Sequence, residues 1–151
     1  MMKKEENIYY QQLARFEEKC RYAGLKVTQQ RLEIFRELAL ADDHPTAETL
    51  HTRLLERLPT LSLDTVYRTL ATFEKHALVT RVQTPESQAR FELRLGEKRH
   101  HHLICRNCGQ ITDFVWNSFD AAPPPETAAD WGCIESQSAT LFGVCRKCQG
   151  R

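Results

Sequence analysis

The chain has 151 residues, 41% hydrophobic and 27% charged, with a net charge of +1, enough to bury a core as one domain or two small ones. No apolar run approaches the roughly 18 residues of a membrane span. The charged start, Met1-Met2-Lys3-Lys4-Glu5-Glu6, does not look like a secretion leader, so the expectation is a cytoplasmic protein with no membrane partner. Residues 1–84 hold 13 Lys and Arg against 12 Asp and Glu, and the remainder 8 against 8. A basic field for nucleic acid is therefore excluded, and any DNA binding must rest on a few well-placed cations.

In chain order, Tyr9, Leu13, Phe16, Cys20 and Ala23 recur at helical spacing from Ile8 to Ala23, and Gly24 follows as a C-terminal cap. Cys20 falls on the apolar stripe and reads as a small core hydrophobe. Thr28 caps a second predicted helix through about Leu40, with Leu32, Phe35 and Leu38 inward. After the turn Asp42-Asp43-His44-Pro45, Thr46 caps a third, with Ala47, Leu50, Leu54 and Leu58 on one face and Pro59 ending it. A fourth opens at Ser62 and runs to about His76, with Leu63, Val66, Leu70 and Phe73 apolar. Its narrow polar face is Thr65, Arg68, Thr69 and Thr72, flanked by Tyr67. Short hydrogen-bonding side chains with a single charge suit a helix in a DNA major groove better than a solvated face.

Two strand-like runs follow, Leu78 to Gln83 and Gln88 to Leu95, around a Thr84-Pro85-Glu86-Ser87 turn. In the second, Phe91, Leu93 and Leu95 alternate with Arg90, Glu92 and Arg94. Helices closed by a hairpin follow the order of a winged helix-turn-helix, assigned to residues 1–95, with a polar hinge at 96–99. Residues 100–151 form a second domain, for an α+β chain overall. There, His100 to Cys105 and Gln110 to Trp116 flank a cysteine pair as a hairpin. A short helix in Asn117 to Asp130 is broken by Pro123-Pro124-Pro125, and Cys133 to Val144 supplies one or two strands. Cys133 reads as structural.

Cys105-Arg106-Asn107-Cys108 and Cys145-Arg146-Lys147-Cys148 are two CxxC pairs. Two intervening residues let both thiolates of a pair face one ion, and two such pairs complete a tetrahedron, so Cys105, Cys108, Cys145 and Cys148 predict a structural Zn(II) site. The competing reading, two redox pairs, expects a CxxC that opens a helix in a thioredoxin-like setting, and neither pair is predicted to do so. In an extended His100-His101-His102 run, His100 and His102 point one way while His101 and Cys105 point the other. The histidine pair then serves a different ion from the cysteines, or it is solvated surface. Asp113, in phase with Ile111 and Val115 on the paired strand, invites a partner. Taken alone, His44 reads as a turn residue and Glu92 as a solvated strand residue.

Together these residues resemble the ferric uptake regulator family over roughly Tyr9 to Cys148. The resemblance is carried by Leu25-Lys26-Val27-Thr28-Gln29-Gln30-Arg31, His44-Pro45-Thr46-Ala47, Ser62-Leu63-Asp64-Thr65-Val66-Tyr67-Arg68-Thr69-Leu70, Arg90-Phe91-Glu92, His100-His101-His102-Leu103-Ile104-Cys105 and Gly143-Val144-Cys145. It implies a homodimeric repressor on a double-stranded, AT-rich palindromic operator, with the second domain as the dimerisation domain. It also implies a regulatory Fe(II) or Mn(II) held by His44, Glu92, His100, His102 and Asp113, a borderline-to-hard donor set. Asp113 is similar to the peroxide-sensing branch, which implies His44 and His100 as residues oxidised by peroxide; Glu92 is similar to the iron-responsive branch. Thr65, Tyr67 and Arg68 would approach base edges, and Lys26 and Arg31 phosphates. No histidine lies in Ile134 to Phe142, where many relatives carry one, so no third metal site is expected. Two other readings compete: a non-haem iron enzyme, which would turn over an organic substrate, and a zinc-ribbon interaction module, indifferent to a second metal.

Overall fold

A computed structural model describes residues 2–86, 88–96 and 99–150, with the side chains of Met2 and Lys3 left aside. Part of the expected Thr84–Ser87 turn and of the 96–99 hinge lies outside the described residues. The chain divides into two compact units, Met1–Glu97 and Lys98–Arg151, and its helices and two sheets make it α+β, as expected.

The first unit runs α1 (Met2–Tyr22), α2 (Gln29–Leu40), α3 (Ala47–Leu54), α4 (Leu63–Lys75), β1 (Val79–Val82) and β2 (Arg90–Leu93). Helix α1 starts before the apolar stripe does, because Lys and Glu favour the helix without needing burial. Its end is the expected glycine cap. At Gly24, φ is +69°, and the N–H groups of Gly24 and Leu25 bond the carbonyls of Arg21 and Cys20, satisfying carbonyls the helix leaves open. Thr28, Thr46 and Ser62 cap α2, α3 and α4 by accepting from the N–H of Arg31, Thr49 and Thr65.

Phe16 of α1 stacks on Phe35 of α2 with centroids 4.3 Å apart and meets Phe73 of α4 edge-on at 5.4 Å. Leu50, Leu54, Val66 and Leu70 fill around them, and Phe91, Leu93 and Leu95 close the core from the hairpin, all buried. Cys20 is buried with them, and burial pushes its thiol pKa up. The expected inward sets of α2 to α4 change: Leu32, Leu58 and Leu63 are only partly buried, Ile34 is fully buried, and Thr69, assigned to the polar face of α4, is only 7% exposed. At the hairpin's exit, α1 holds two backbone carbonyls: Arg15 Nη1 donates to that of Leu95 (2.7 Å) and Lys19 Nζ to that of Arg94 (3.1 Å).

In the second unit β3 (His101–Cys105) is central. It pairs antiparallel with β4 (Ile111–Phe114) and parallel with β5 (Thr140–Gly143). Between β4 and β5 lie α5 (Asn117–Ala121), the three prolines, which cannot continue a helix, and a 3₁₀ turn at Glu126–Ala128. The expected one or two strands resolve as one. A short helix not expected, α6 (Arg146–Gln149), ends the described chain.

Candidate functional site

The pleat of β3 sorts its side chains onto two faces. His102 lies opposite Asp113 and Ile104 opposite Ile111 on one face; Leu103 and Cys105 alternate with them. On the second face His101 is fully buried. Its Nε2 lies 2.8 Å from Asp120 Oδ1 of α5, and its Nδ1 accepts the Ala139 N–H at 3.0 Å. An Nδ1 that accepts leaves the proton on Nε2, which therefore donates to Asp120. His101 thus fastens α5 and the approach to β5 onto the central strand, while Gln137 Nε2 donates to the carbonyls of Phe119 and Ala122.

The four cysteines converge. Their sulfurs lie within 4.8 Å of one another, with Cys108 and Cys145 sulfurs 3.8 Å apart. A tetrahedron of sulfurs about 2.3 Å from zinc has edges of about 3.8 Å, so the spacing fits that ion. Cys105 ends β3. The turn after it closes through the Gly109 N–H to the Cys105 carbonyl, with Gly109 at φ +75°. Cys145 is the residue before α6 and Cys148 lies within it, so the second CxxC does open a short helix, contrary to expectation. What separates the cluster from a redox pair is instead the convergence of both pairs on one point. Backbone N–H groups of Cys145 and Cys108 hold the Cys105 thiol down to about 6. At Cys148 the Asn107 side chain pulls the same way, but hydrogen bonds with the neighbouring thiols, Cys145 foremost, together with burial push it up to about 12. Four adjacent thiols cannot all ionise unaided, and a bound dication would remove that conflict.

The nitrogen and oxygen donors fall into two sets, one in each unit. In the first, His44 Nε2 is 2.8 Å from Glu92 Oε2. The residues are 48 apart in sequence, and the local backbone brings them together. Thr46 bridges to Arg90, the Phe91 N–H bonds the Pro45 carbonyl (3.0 Å), and Arg90 Nη1 donates to the His44 carbonyl (3.2 Å), strapping the α2–α3 loop to β2. His44 is buried and Glu92 half-buried. The turn-residue and solvated-strand readings miss this pairing. In the second unit, Asp113 lies 3.5 Å from His102 Nε2 and 3.9 Å from His100 Nε2, and the two imidazoles stand edge-on with centroids 5.2 Å apart.

Of the residues expected to meet DNA, Tyr67 and Arg68 stand exposed on α4, Thr65 is half-buried, and Lys26 is exposed. Arg31 is half-buried, and its Nη1 donates to the Lys26 backbone carbonyl at 2.9 Å. Two partners escaped the sequence reading: the Tyr67 hydroxyl donates to the Glu48 carboxylate, and Arg68 pairs with Asp64. The second was legible in the i, i+4 spacing; the first joins two helices and left no signal. Among the described residues no helix is long and apolar enough to cross a membrane.

Comparison with known proteins points the same way. Residues 22–136 match the model of the ferric uptake regulator family. The chain is 31% identical over 134 residues, 87% of each chain, to the peroxide-responsive repressor PerR of Staphylococcus aureus strain Mu50. Among solved structures it is similar to the ferric uptake regulator of Helicobacter pylori, described as having three functional metal-binding sites (26% identity, TM-score 0.74, 93% of both chains). It is also similar to that of Pseudomonas aeruginosa with manganese (29% identity, TM-score 0.69, 86% of this chain and 97% of that one). A thiol cluster on a three-stranded sheet, histidine–carboxylate pairs in both units and this extent of matched sequence agree: the chain belongs to the ferric uptake regulator family.

Proposed function

We propose that the chain is a metal-dependent transcriptional repressor that binds an operator in double-stranded DNA as a homodimer, through a winged helix-turn-helix formed by α3, α4 and the β1–β2 hairpin. Its domains are 1–95, a hinge at 96–99 and 100–151. The observation that carries the reading is the division of imidazole and carboxylate donors between the units: His44 and Glu92 in one, His100, His102 and Asp113 in the other. Five such donors serve one regulatory Fe(II) or Mn(II), while Cys105, Cys108, Cys145 and Cys148 hold Zn(II). An ion bound across a hinge favours one arrangement of the two domains. If DNA binds that arrangement best, metal tightens DNA binding and DNA tightens metal binding by the same factor. Tyr67, Arg68 and Thr65 face base edges and Lys26 and Arg31 face phosphates.

The signal is peroxide. Support comes from Asp113 and from the likeness to the Staphylococcus repressors. Iron held there would supply the redox chemistry, and His44 and His100, among the residues that would hold it, would be the imidazoles that gain an oxygen from hydrogen peroxide, with water as the by-product. A second reading, sensing of iron level alone, is favoured by Glu92 and by the likeness to the ferric uptake regulators.

The test is duplex binding by the zinc-loaded protein, titrated without oxygen with Fe(II) or Mn(II), before and after brief hydrogen peroxide, with mass spectrometry of the histidine peptides. Loss of iron-supported binding with one oxygen gained on His44 or His100, while manganese-supported binding survives, is the expected result. Unmodified histidines and binding that tracks metal concentration alone would favour the second reading. Binding indifferent to both metals would overturn the proposal.

A further inference from the structure

The exposed side of α4 carries Asp64, Tyr67, Arg68, Ala71, Glu74 and Lys75. For a helix expected to approach a polyanion this is an odd set, and its two most informative side chains are already engaged. Arg68 Nη2 sits 2.6 Å from Asp64 Oδ2, one turn earlier. The Tyr67 hydroxyl donates to Glu48, in the first turn of α3. The two engagements differ in kind. Asp64 and Arg68 side chains are 67% and 80% exposed, so water competes for both and the pair is exchangeable. Glu48 is half-buried and anchored: besides the Tyr67 hydroxyl, its own backbone N–H and the Thr46 hydroxyl hydrogen-bond it, and together they lower its pKa. A carboxylate at a helix N-terminus is also favoured by the helix dipole. Glu48 therefore keeps its charge, and it fixes the direction of the Tyr67 ring.

Two carboxylates thus stand at the surface proposed to meet DNA, in a chain whose net charge is only +1. Glu48 orders the Tyr67 ring, lowering the conformational cost of docking it, while Asp64 occupies Arg68 only loosely. Each carboxylate also opposes the approach of phosphate unless Tyr67 and Arg68 find better partners. Base edges offer Arg68 a bidentate acceptor in place of Asp64; a mismatched sequence offers nothing in exchange, and the negative charge remains.

We propose that Glu48 and Asp64 are specificity-determining residues of the DNA-facing helix, holding Tyr67 and Arg68 until matching base pairs take them over and repelling DNA that offers no match. The inference rests on the DNA-binding reading above. It assigns discrimination between sequences to repulsion as well as to contacts.

The experiment uses the full-length, zinc-loaded protein with Mn(II), a duplex selected by the wild type from a random library, and a scrambled duplex of the same composition. A unit charge about 7 Å from a phosphate at a water-like dielectric is worth a factor of about three. Each of Asp64→Asn and Glu48→Gln is therefore expected to raise affinity for the scrambled duplex about threefold per protomer, up to about tenfold for the two copies of the proposed homodimer, and for the selected duplex less than about twofold. The selectivity ratio falls, and the fall shrinks as salt screens the charge. Tyr67→Phe, which keeps the ring and leaves Glu48 charged, is expected to weaken the selected duplex without strengthening the scrambled one. Equal changes on both duplexes, or none in the presence of unaltered melting curves, would overturn the proposal. A loss on both duplexes together with a lowered Tm would show a purely structural role and overturn it too. If the wild type selects no duplex at all, the DNA-binding reading falls and this inference with it; selection with unchanged ratios sinks the carboxylates alone.

Discussion

The two units solve the problem of stability differently. The first encloses aromatic and aliphatic side chains from every one of its helices and from its hairpin. The second buries Ile104, Cys105, Cys148 and His101 while leaving Val115, Trp116, Leu141, Phe142 and Val144 substantially in solvent, and Trp131 at 79% exposure. A domain of this size with so little apolar interior needs other support. Zinc at the cysteine cluster would supply part of it, and the second copy of the proposed homodimer would cover apolar surface. The contrast predicts that hydrophobic burial carries most of the first unit's stability, whereas the second draws more of its stability from what it binds.

The largest expected effect tests that contrast directly. Structural zinc contributes on the order of 10–16 kcal/mol of apparent folding free energy, so a strong chelator, or Cys108→Ser, is expected to unfold the second unit and leave the first intact. Both tryptophans of the chain, Trp116 and Trp131, lie in the second unit and all four tyrosines in the first. Tryptophan emission therefore reports on one unit and amide exchange in α2 and α4 on the other; emission unmoved by complete zinc removal would break the comparison. Next, Phe35→Ala removes the ring stacked on Phe16 and is expected to cost about 3–5 kcal/mol, seen as a lowered melting transition in the first unit with the tryptophan signal unaffected at low temperature. His101→Ala removes the donor to Asp120 and the acceptor of the Ala139 N–H. Leaving such groups unsatisfied costs about 1–3 kcal/mol, and the loss should fall on the second unit alone, read by the same emission. The smallest effect is Ser62→Ala, which deletes the cap accepting the Thr65 N–H at 3.1 Å; about 1 kcal/mol of first-unit stability is expected to go with it, measured by denaturant titration.

Much of the first unit was legible because its signals are local. Thr28, Thr46 and Ser62 each stand one residue before a helix, and Gly24 sits where a left-handed residue ends α1. Inward faces were harder: Thr69 reads as polar by composition, yet its helix position turns it to the interior, and Ile34 lies beside the expected stripe rather than on it. In the second unit, alternation along β3 assigned His101 and His102 to opposite faces. The Asp120 partner of His101 comes from a helix 19 residues on, and no periodicity announces it. The same holds for His44 and Glu92, which residues read singly left as a turn and a strand position and which only the family resemblance grouped. The strap from Pro45 and Thr46 to β2 that unites them is backbone hydrogen bonding, which has no side-chain signature. Helix α6 went unseen because four residues are too few for a period to show.

The five residues of β3 also constrain what sequence changes the protein can survive. His101 and Cys105 share one side of the strand and His102 the other, so the spacing between His102 and Cys105 fixes which chemistry faces which way. Inserting or deleting one residue there would exchange the sides, carrying His102 toward the α5 face or swinging Cys105 away from the other three thiols. Point substitutions at Leu103, which is exposed, leave that parity untouched. At Leu103 the strand has to keep its length rather than its side chain, whereas His101, His102 and Cys105 have to keep both.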